Sequence, residues 1–262
     1  MEKFSHSSLE TYKKCPAQFK IRYLDGIRKP DESIEAYMGK RIHEALEYLY
    51  NEVLEGRIPL FDNVIEKYNA GWEQNWHSRI GIVRAEKTPE HYRYLGEDCI
   101  ARYYRKHSPF DEPIVGNEIE LNFTLGENGE YQIKGIVDRL DHDGNGNWEI
   151  HDYKSGKRPL TQEQADKDNQ LALYQYGLLA KDEEIKSVKL VWHFLQHGIE
   201  VESNRTEKQL IDLSANIKCE IDKIRLKIDN GGEFPGKKSI LCNWCYYWEE
   251  CPIQNGTNPF IK

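Results

Sequence analysis

The chain has 262 residues, enough for one large domain or two small ones, and 31% of them are charged. No apolar run approaches the roughly 20 residues that a membrane span needs, and the first residues lack the basic-then-apolar pattern of a signal peptide, so we expect a cytoplasmic protein that does not act at a membrane. The net charge of −8, taken alone, argues against nucleic-acid binding, because proteins that bind nucleic acids usually carry an excess of basic residues.

The charge is unevenly distributed along the chain. Residues 1–43 carry nine basic and six acidic side chains, whereas residues 44–204 carry 18 basic and 30 acidic ones. Ordinary solvated helix faces also produce such an imbalance. The charge pattern therefore leaves the partner open.

The first 110 residues predict helices. Residues 5–24 are predicted as a helix that Ser5, Ser7 or Ser8 can cap at its N-terminus, and residues 37–55 repeat apolar side chains at helical spacing. Residues 61–78 and 89–107 are helical stretches rich in aromatic side chains. We interpret residues 55–110 as an all-helical insertion.

Strand patterns follow. Thr161 and Gln164 form a capping-box pattern, which predicts a helix up to Lys181, and residues 207–229 are predicted as the last helix. The order of elements predicts a single mixed α/β domain, spanning residues 1–262, with a central sheet flanked by helices. The predicted strands are residues 114–125, 130–141, 147–154, 186–196 and 199–204.

An acidic hairpin is the most informative stretch. A turn centred near Asn145 sets Asp138 directly opposite Asp152 on antiparallel strands, with Cβ atoms about 4.5–5.5 Å apart. Two carboxylates that close repel unless a cation lies between them, and oxygen ligands favour Mg²⁺ or Mn²⁺. Lys154 lies two residues on and shares the face of Asp152. It could orient an attacking water and offset developing negative charge.

Three other interpretations compete. A solvated surface hairpin is disfavoured because apolar residues flank the site. A structural ion pair between Lys154 and one carboxylate leaves the second carboxylate unexplained. A calcium loop should lie between helices rather than strands. The flanking apolar residues are Ile136, Leu140 and Ile150, and the calcium-loop positions would be Asp141, Asp143, Asn145, Gly146 and Asp152.

This arrangement resembles the PD-(D/E)XK nuclease superfamily, whose motif would here be Asp138 followed by Asp152-Tyr153-Lys154. The RecB-like branch adds Gly-x-x-x-His, matched by His43, and Gln-x-x-x-Tyr, matched by Gln170 and Tyr174. The resemblance implies a restriction-endonuclease-like mixed sheet. It also implies that His43, Asp138, Asp152 and the Tyr153 carbonyl hold Mg²⁺ or Mn²⁺, while Gln170 and Tyr174 orient Lys154 or contact DNA.

Each of these helix residues also has an ordinary structural interpretation. His43 lies at the edge of an apolar helix stripe, where a partly buried, satisfied histidine is common. Gln170 and Tyr174 lie on one helix face, where core packing alone could place them. Glu120 resembles a glutamate on the family's first strand, with Glu118 as the alternative.

Four cysteines suggest a second metal centre. Cys242, Cys245 and Cys251 have the spacing C-x2-C-x5-C, and Cys15 offers a fourth thiolate. Zinc prefers paired C-x2-C spacings and only one pair is present, whereas a [4Fe–4S] cluster needs four thiolates. RecB-like relatives of the AddB type and CRISPR-associated adaptation nucleases have this one-plus-three arrangement, which implies an iron–sulfur cluster held by residue 15 and residues 239–252.

The remaining cysteines have a simpler explanation. Cys99 and Cys219 lie in predicted helices. We expect both to be small apolar core residues.

The motifs together predict a metal-dependent DNA nuclease. The resemblance implies an exonuclease of a bacterium, archaeon or phage that acts on single-stranded DNA or DNA ends. The alternatives are a catalytically weak DNA-end-binding subunit of a helicase, recombination or CRISPR integrase complex, and a redox sensor. No G-x-x-x-x-G-K-[ST] motif occurs, so unwinding would need another subunit. Lys13, Lys14, Lys20 and Arg22 are predicted to contact backbone phosphates.

Overall fold

The computed structural model describes residues 3–126, 129–156, 158–181 and 184–261. Within them, no helix is long and apolar enough to cross a membrane. The α-helices are α1 (His6–Lys14), α2 (Pro16–Phe19), α3 (Ile34–Leu54), α4 (Phe61–Asn75), α5 (Pro89–His107), α6 (Gln162–Ala165), α7 (Asn169–Leu179) and α8 (Glu207–Asp229). A π-helix (Lys20–Leu24) continues α2, and a 3-10 helix covers Ile240–Trp244. The strands are β1 (Lys3–Phe4), β2 (Glu32–Ser33), β3 (Ile80–Gly81), β4 (Ile114–Leu125), β5 (Tyr131–His142), β6 (Asn147–Lys154), β7 (Ser187–Phe194) and β8 (Ile199–Ser203).

A mixed sheet forms the centre of the fold. Strand β6 pairs with β5 in antiparallel and with β7 in parallel orientation, and β8 closes the far edge. One side of β5 is paired with β4 along most of its length. On its other side, β5 pairs with β1 at residues 132–133 and with β6 at residues 139–142. The stretch between these two pairings is a break in the ladder, and Asp138 lies at its end.

Helices cover the sheet in two layers. Helices α7 and α8 pack on one face around Leu173, Ile150 and Ile221. Helices α3, α4 and α5 form a second core that includes Tyr153 of β6. Successive residues of β6 therefore enter opposite layers, as the period of a strand requires. Asp152 faces α7, and the side chain of Tyr153 enters the other layer.

The predicted fold class is confirmed, with local corrections. The first predicted helix breaks at Cys15, which has an extended backbone (φ −156°, ψ 102°) and precedes a proline. The helix predicted from Thr161 to Lys181 divides into α6 and α7, and Asp168 caps the second part. Strands β1, β2 and β3 were not predicted, because two-residue strands show no alternation.

Two predictions of burial were wrong. Cys219 is exposed on α8, while Cys99 is buried as predicted. Ile136 is 44% exposed, because it lies in the break where β5 lacks a neighbour on one side. The apolar flank expected beside Asp138 is therefore open to solvent on this strand.

The hairpin between β5 and β6 has the predicted register. Leu140 pairs with Ile150, which places the centre of the hairpin at residue 145. Asp143 accepts hydrogen bonds from the backbone amides of Asn145 and Asn147, at 2.7 and 3.1 Å. The Asp143 carboxylate therefore stabilises a polar turn between two strands. This differs from a calcium loop, which lies between two helices.

Candidate active site

Asp138 and Asp152 lie where β5 and β6 separate. The last pair of the ladder is Arg139 with His151, so the next step would set Asp138 opposite Asp152. Instead, Asp138 Oδ2 accepts a hydrogen bond from the backbone N–H of Tyr153 at 2.7 Å. The Asp138 carboxylate thus takes the place of a backbone carbonyl as the acceptor for the Tyr153 N–H. This hydrogen bond fixes the position of the carboxylate where β5 and β6 separate.

Asp152, Lys154 and Gln170 form a closed set of polar contacts. Lys154 Nζ lies 2.8 and 2.6 Å from the two oxygens of Asp152 and 2.9 Å from Gln170 Oε1. Gln170 Nε2 donates to Asp152 Oδ1 at 2.8 Å. Gln170 is held in the first turn of α7, where its backbone N–H donates to the capping Asp168 at 2.9 Å. The lysine is therefore fixed from two elements.

His43 of α3 reaches the same place from the other layer. Its Nε2 lies 3.1 Å from the Tyr153 carbonyl oxygen. Its Nδ1 lies 3.7 Å from Asp138 Oδ1 and 3.8 Å from Glu118 Oε1. The ligand atoms of His43, Glu118 and Asp138 all lie within 4.8 Å of one another. These residues could hold a metal ion.

The glycine of the Gly-x-x-x-His motif has a steric role. A Cβ on Gly39 would lie 2.7 Å from Ser155 Oγ, just beyond the end of β6. The absence of a side chain allows α3 to approach the strand that carries Asp152 and Lys154. One turn later on the same helix, His43 reaches the Tyr153 carbonyl.

The charges of the site are strongly coupled. Burial raises the pKa of Asp138 to about 7, and the charge of Asp152 adds to the effect. Burial alone would lower the pKa of His43, but Glu118, Asp138 and Asp152 outweigh it and raise that pKa to about 9. A proton on His43 therefore offsets part of the negative charge. A divalent cation would do the same more completely.

Glu118, rather than Glu120, faces the site. Asn117 pairs with Arg139 and Ile119 with Val137, which sets Glu118 opposite Asp138. Glu120 pairs with Ile136 two residues further along, is exposed, and accepts a hydrogen bond from Asn122 at 2.6 Å. The structure thus corrects the choice of Glu120. The decisive fact is the register between β4 and β5, which the sequence does not reveal.

This correction gives a matched pair of variants. We expect Glu118→Gln to weaken Mn²⁺-dependent DNA cleavage by about 10- to 100-fold, because it removes a charge beside Asp138. Glu120→Gln, two residues along the same strand, should leave cleavage within about twofold of wild type. The measurement is the initial rate at several Mn²⁺ concentrations. A larger loss for Glu120→Gln than for Glu118→Gln would contradict this placement.

Tyr174 is buried beneath the site. Its ring accounts for the glycine at position 135, which the sequence analysis did not single out. A Cβ on Gly135 would lie 2.4 Å from Tyr174 Cε1. The ring therefore packs directly on the backbone of β5, three residues before Asp138. Burial raises the pKa of Tyr174 to about 12, and the charge of Asp152 adds to it. Tyr174 therefore supports the strand that carries Asp138. Its low solvent exposure argues against direct contact with DNA.

A cleft of about 900 Å³ adjoins the site, and we call it the α1–α7 cleft. Its walls carry Lys14 and Lys167 but also acidic residues, so its charge is mixed. Of the residues predicted to contact DNA, Lys14 lines the cleft. Its neighbour Lys13 does not line it and pairs with Glu220 at 3.2 Å. The cleft is lined by His6, Ser7, Glu10, Thr11, Lys14, Thr161, Glu163, Gln164, Lys167, Asp168, Asn169 and Gln170.

The two other predicted DNA contacts have partners of their own outside the cleft lining. Lys20 pairs with Asp25 at 2.8 Å. The guanidinium of Arg22 lies 5.4 Å from the centre of the Tyr23 ring. The four predicted DNA-contacting residues therefore do not form one uniformly basic groove.

Three of the predicted cluster cysteines act electrostatically on the fourth. Burial raises the pKa of the Cys245 thiol to about 11, and the charges of Cys15, Cys242 and Cys251 raise it further. The C-terminal segment is tied to the first helices, since the N–H of Ala17 donates to the Pro235 carbonyl at 3.2 Å. This hydrogen bond joins the start of α2, just after the break at Cys15, to the stretch that leads into the C-x2-C-x5-C segment.

Asn258 organises this segment and was missed by the sequence reading. Its Nδ2 lies 3.0, 3.0 and 2.9 Å from the carbonyl oxygens of Cys242, Asn243 and Cys245. Trp248 Nε1 donates to the same Cys242 carbonyl at 2.9 Å. Side chains therefore fix the backbone carbonyls of this segment, and the Cys242 thiol accepts a hydrogen bond from the Ser239 N–H at 3.5 Å.

Comparison with known proteins agrees with this geometry. A family model described as the PD-(D/E)XK nuclease superfamily matches residues 3–252. The chain belongs to this superfamily. Superfamily membership makes it a nuclease-type protein, and PD-(D/E)XK nucleases generally use divalent metal ions.

Solved structures support the fold. A "putative exonuclease" from Eubacterium rectale shares 12% identity with this PD-(D/E)XK chain, with a TM-score of 0.57, and the match covers 97% of this chain and 90% of that one. At such low identity the likeness shows the fold alone. The structure of SSO0001 shares 15% identity over 92% of this chain and 96% of that one, but its TM-score of 0.35 supports no argument. None of the curated proteins matches the chain.

Proposed function

We propose that the chain is a DNA exonuclease that uses Mg²⁺ or Mn²⁺ and acts on single-stranded DNA or DNA ends. One observation supports this most: His43, Glu118 and Asp138 bring their ligand atoms together beside the Asp152–Lys154 pair. A nitrogen with several carboxylate oxygens is a donor set suited to a hard divalent ion. The superfamily supplies the reaction class, which is hydrolysis of a phosphodiester bond.

The residues present fit such an ion. Two carboxylates face the Nδ1 of His43, and a third is close enough to raise the pKa of Asp138. We propose Asp138, Asp152, His43 and the Tyr153 carbonyl as ligands, with Glu118 as a further one. A bound ion supplies Lewis acidity toward the scissile phosphate and lowers the pKa of a water.

Lys154 and its partners supply a preorganised positive charge. The ammonium is already held by Asp152 and Gln170. A fixed donor costs no reorganisation when negative charge develops on the phosphate, so it stabilises the transition state more than a mobile lysine would. Gln170 is a positioning residue, because it fixes Lys154 and Asp152 relative to each other. Tyr174 supports the strand below.

We propose that a DNA strand approaches through the α1–α7 cleft. The cleft ends at Gln170, and both Lys14 and Lys167 on its walls can contact backbone phosphates. Its acidic residues reduce non-specific attraction, so binding should be weak without metal and should fall as salt rises.

We also propose that Cys15, Cys242, Cys245 and Cys251 hold a [4Fe–4S] cluster with a structural role. Four thiolates are the ligands that such a cluster takes, the charges of Cys15, Cys242 and Cys251 act on Cys245, and a cationic centre would offset the cost of burying thiolates. Such a centre would join the break after α1 to the C-terminal segment.

The choice between exonuclease and binding subunit has a direct test. With Mn²⁺, the purified chain should degrade a linear end-labelled single strand and leave a circular strand of the same sequence intact, because an exonuclease needs an end. Labels at the 5′ and 3′ ends report polarity in the same assay. Equal cutting of the circle would overturn the exonuclease proposal. Binding of ends without any cutting would favour the assembly subunit instead.

A further inference from the structure

A second group of potential metal ligands lies away from the nuclease site. His107 is the last residue of α5, His193 belongs to β7 and Glu200 to β8. Glu200 Oε1 lies 3.0 Å from His107 Nε2 and 3.1 Å from His193 Nδ1. The three ligand atoms all lie within 4.8 Å of one another.

The short distances from Glu200 Oε1 to the two histidines are not aligned hydrogen bonds. Although Glu200 Oε1 and His107 Nε2 are both buried, neither atom has a hydrogen-bond partner in the described chain. The distances are short enough, so the alignment of donor and acceptor is what fails. Buried polar atoms usually have a partner, and two orphans that face each other indicate that something belongs between them.

The other ring nitrogens are fully engaged. His107 Nδ1 lies 2.7 Å from Glu112 Oε1. His193 Nε2 lies 2.9 Å from His151 Nδ1, and His151 Nε2 lies 3.3 Å from Asp141 Oδ2. Metal-binding histidines have this kind of outer support, usually a carboxylate on the second nitrogen.

The outer contacts constrain which nitrogens carry protons. Since a carboxylate only accepts, His107 Nδ1 donates to Glu112, and a neutral His107 then has a bare lone pair on Nε2. His151 Nε2 faces both Asp141 Oδ2 at 3.3 Å and the donor Arg139 Nη2 at 3.4 Å, so the proton shared by His151 and His193 has two arrangements. In the arrangement with the proton on His193 Nε2, three acceptors meet at Glu200 and repel one another unless a cation lies among them.

We propose that His107, His193 and Glu200 form a second metal site that takes Zn²⁺ or a similar transition-metal ion. Two imidazoles and one carboxylate are a common zinc donor set, and tetrahedral bonds of about 2.0–2.2 Å place ligand atoms about 3.3–3.6 Å apart. The two separations from Glu200 Oε1, 3.0 and 3.1 Å, are a few tenths of an ångström shorter, and the two histidine nitrogens lie within 4.8 Å of each other. This nitrogen-rich set differs from the carboxylate-rich nuclease site, which suits harder ions.

The surroundings leave space for a fourth ligand. A cavity of about 20 Å³ is lined by the three residues and by Tyr103 and Lys106. That volume is enough for one water. Lys106 binds the other carboxylate oxygen of Glu200 at 2.9 Å, which orients Oε1 toward the histidines.

The role of such an ion is structural. It would fasten the end of α5 to the β7–β8 hairpin. The Tyr103 ring stacks on His107, with centroids 4.1 Å apart, and its hydroxyl lies 3.1 Å from the Tyr153 hydroxyl. Tyr153 in turn binds Asp138 and His43 through its backbone. The ion therefore supports the layer on which the nuclease site rests.

Zinc content of matched variants tests the proposal. The purified full chain is equilibrated with Zn²⁺ in excess Mg²⁺, which competes for the carboxylate site, and unbound metal is removed. Glu200→Gln should retain one zinc fewer per chain than wild type. The control Glu202→Gln, on the same strand and exposed, should retain as much as wild type. Equal zinc in wild type and Glu200→Gln would overturn the site.

Cobalt spectra identify the ligands independently of activity. The difference between Co²⁺-loaded wild type and Glu200→Gln should show tetrahedral d–d bands without thiolate charge transfer. A thiolate band in that difference would assign the lost metal to the cysteines and contradict the proposal. If Glu200→Gln does not fold, His107→Gln tests the same ion from α5. The proposal also fails if that variant retains all the zinc.

Discussion

Asp138→Asn is expected to abolish most DNA cleavage while making the metal-free protein more stable. Cleavage should fall by about 10³-fold, because the variant removes charge at the point where cation and phosphate meet. Stability should rise because Asp138 is buried beside Asp152 and Glu118, which raises its pKa to about 7. Opposite signs for activity and stability exclude unfolding as the cause of inactivity.

The pH dependence of that gain follows from the direction of the shift. The pKa of Asp138 is higher in the folded protein than in the unfolded chain, so ionising it costs folding free energy as pH rises. One pKa unit corresponds to about 1.4 kcal/mol, and His43 offsets part of the cost, so we expect a gain of about 1–3 kcal/mol at about pH 8. At a pH below the unfolded pKa both proteins carry a neutral group and the gain should vanish.

Urea unfolding in EDTA at the two pH values measures this gain. Glu149→Gln on β6 is a control, because it changes a carboxylate that pairs with Lys189, at 2.8 Å, instead of facing the site. A lower stability for Asp138→Asn at high pH would contradict the account of crowded carboxylates. Undiminished cleavage would contradict the site itself.

Cys245→Ser is expected to have the largest effect on stability. If the four cysteines hold a cluster, its binding free energy is part of the folding free energy, and losing it should cost on the order of 5 kcal/mol or more. The variant should also lack the iron and the visible absorption of the anaerobically purified wild type. Metal analysis, absorption and thermal unfolding check these outcomes together.

Cys219→Ser is the matched control for that variant. Cys219 is exposed on α8, so its replacement should change neither iron content nor stability. If Cys245→Ser kept the iron and the unfolding midpoint of wild type, the cluster proposal would fail. If the wild type contained one zinc ion and had no visible absorption, zinc rather than an iron–sulfur cluster would be assigned to these thiols.

Local patterns predicted much of the site. The centre of the acidic hairpin fixes the register of β5 and β6 up to Arg139 and His151, so the position of one turn could bring Asp138 and Asp152 to the same end of the ladder. The spacing of Gln170 and Tyr174 places both on one face of α7, where Gln170 contacts Lys154. Each of these inferences needs only a period and a nearby turn.

What the sequence could not supply was the alignment of distant elements. The choice between Glu118 and Glu120 depends on the register of β4 against β5, and no short turn of known type fixes it. The group of His107, His193 and Glu200 has no motif, because three separate elements meet only in the folded chain. Cys219 was expected to be buried because a helix pattern alone does not show which neighbours cover each face.

The most direct test of the account is the position of a bound ion. A crystal of the protein soaked in Mn²⁺ should give an anomalous difference peak beside Asp138, in contact with His43 and the Tyr153 carbonyl. The account predicts that this peak disappears in Asp138→Asn crystals treated in the same way. A wild-type crystal with no peak there, or an unchanged peak in the variant, would contradict the proposed metal-dependent nuclease centre.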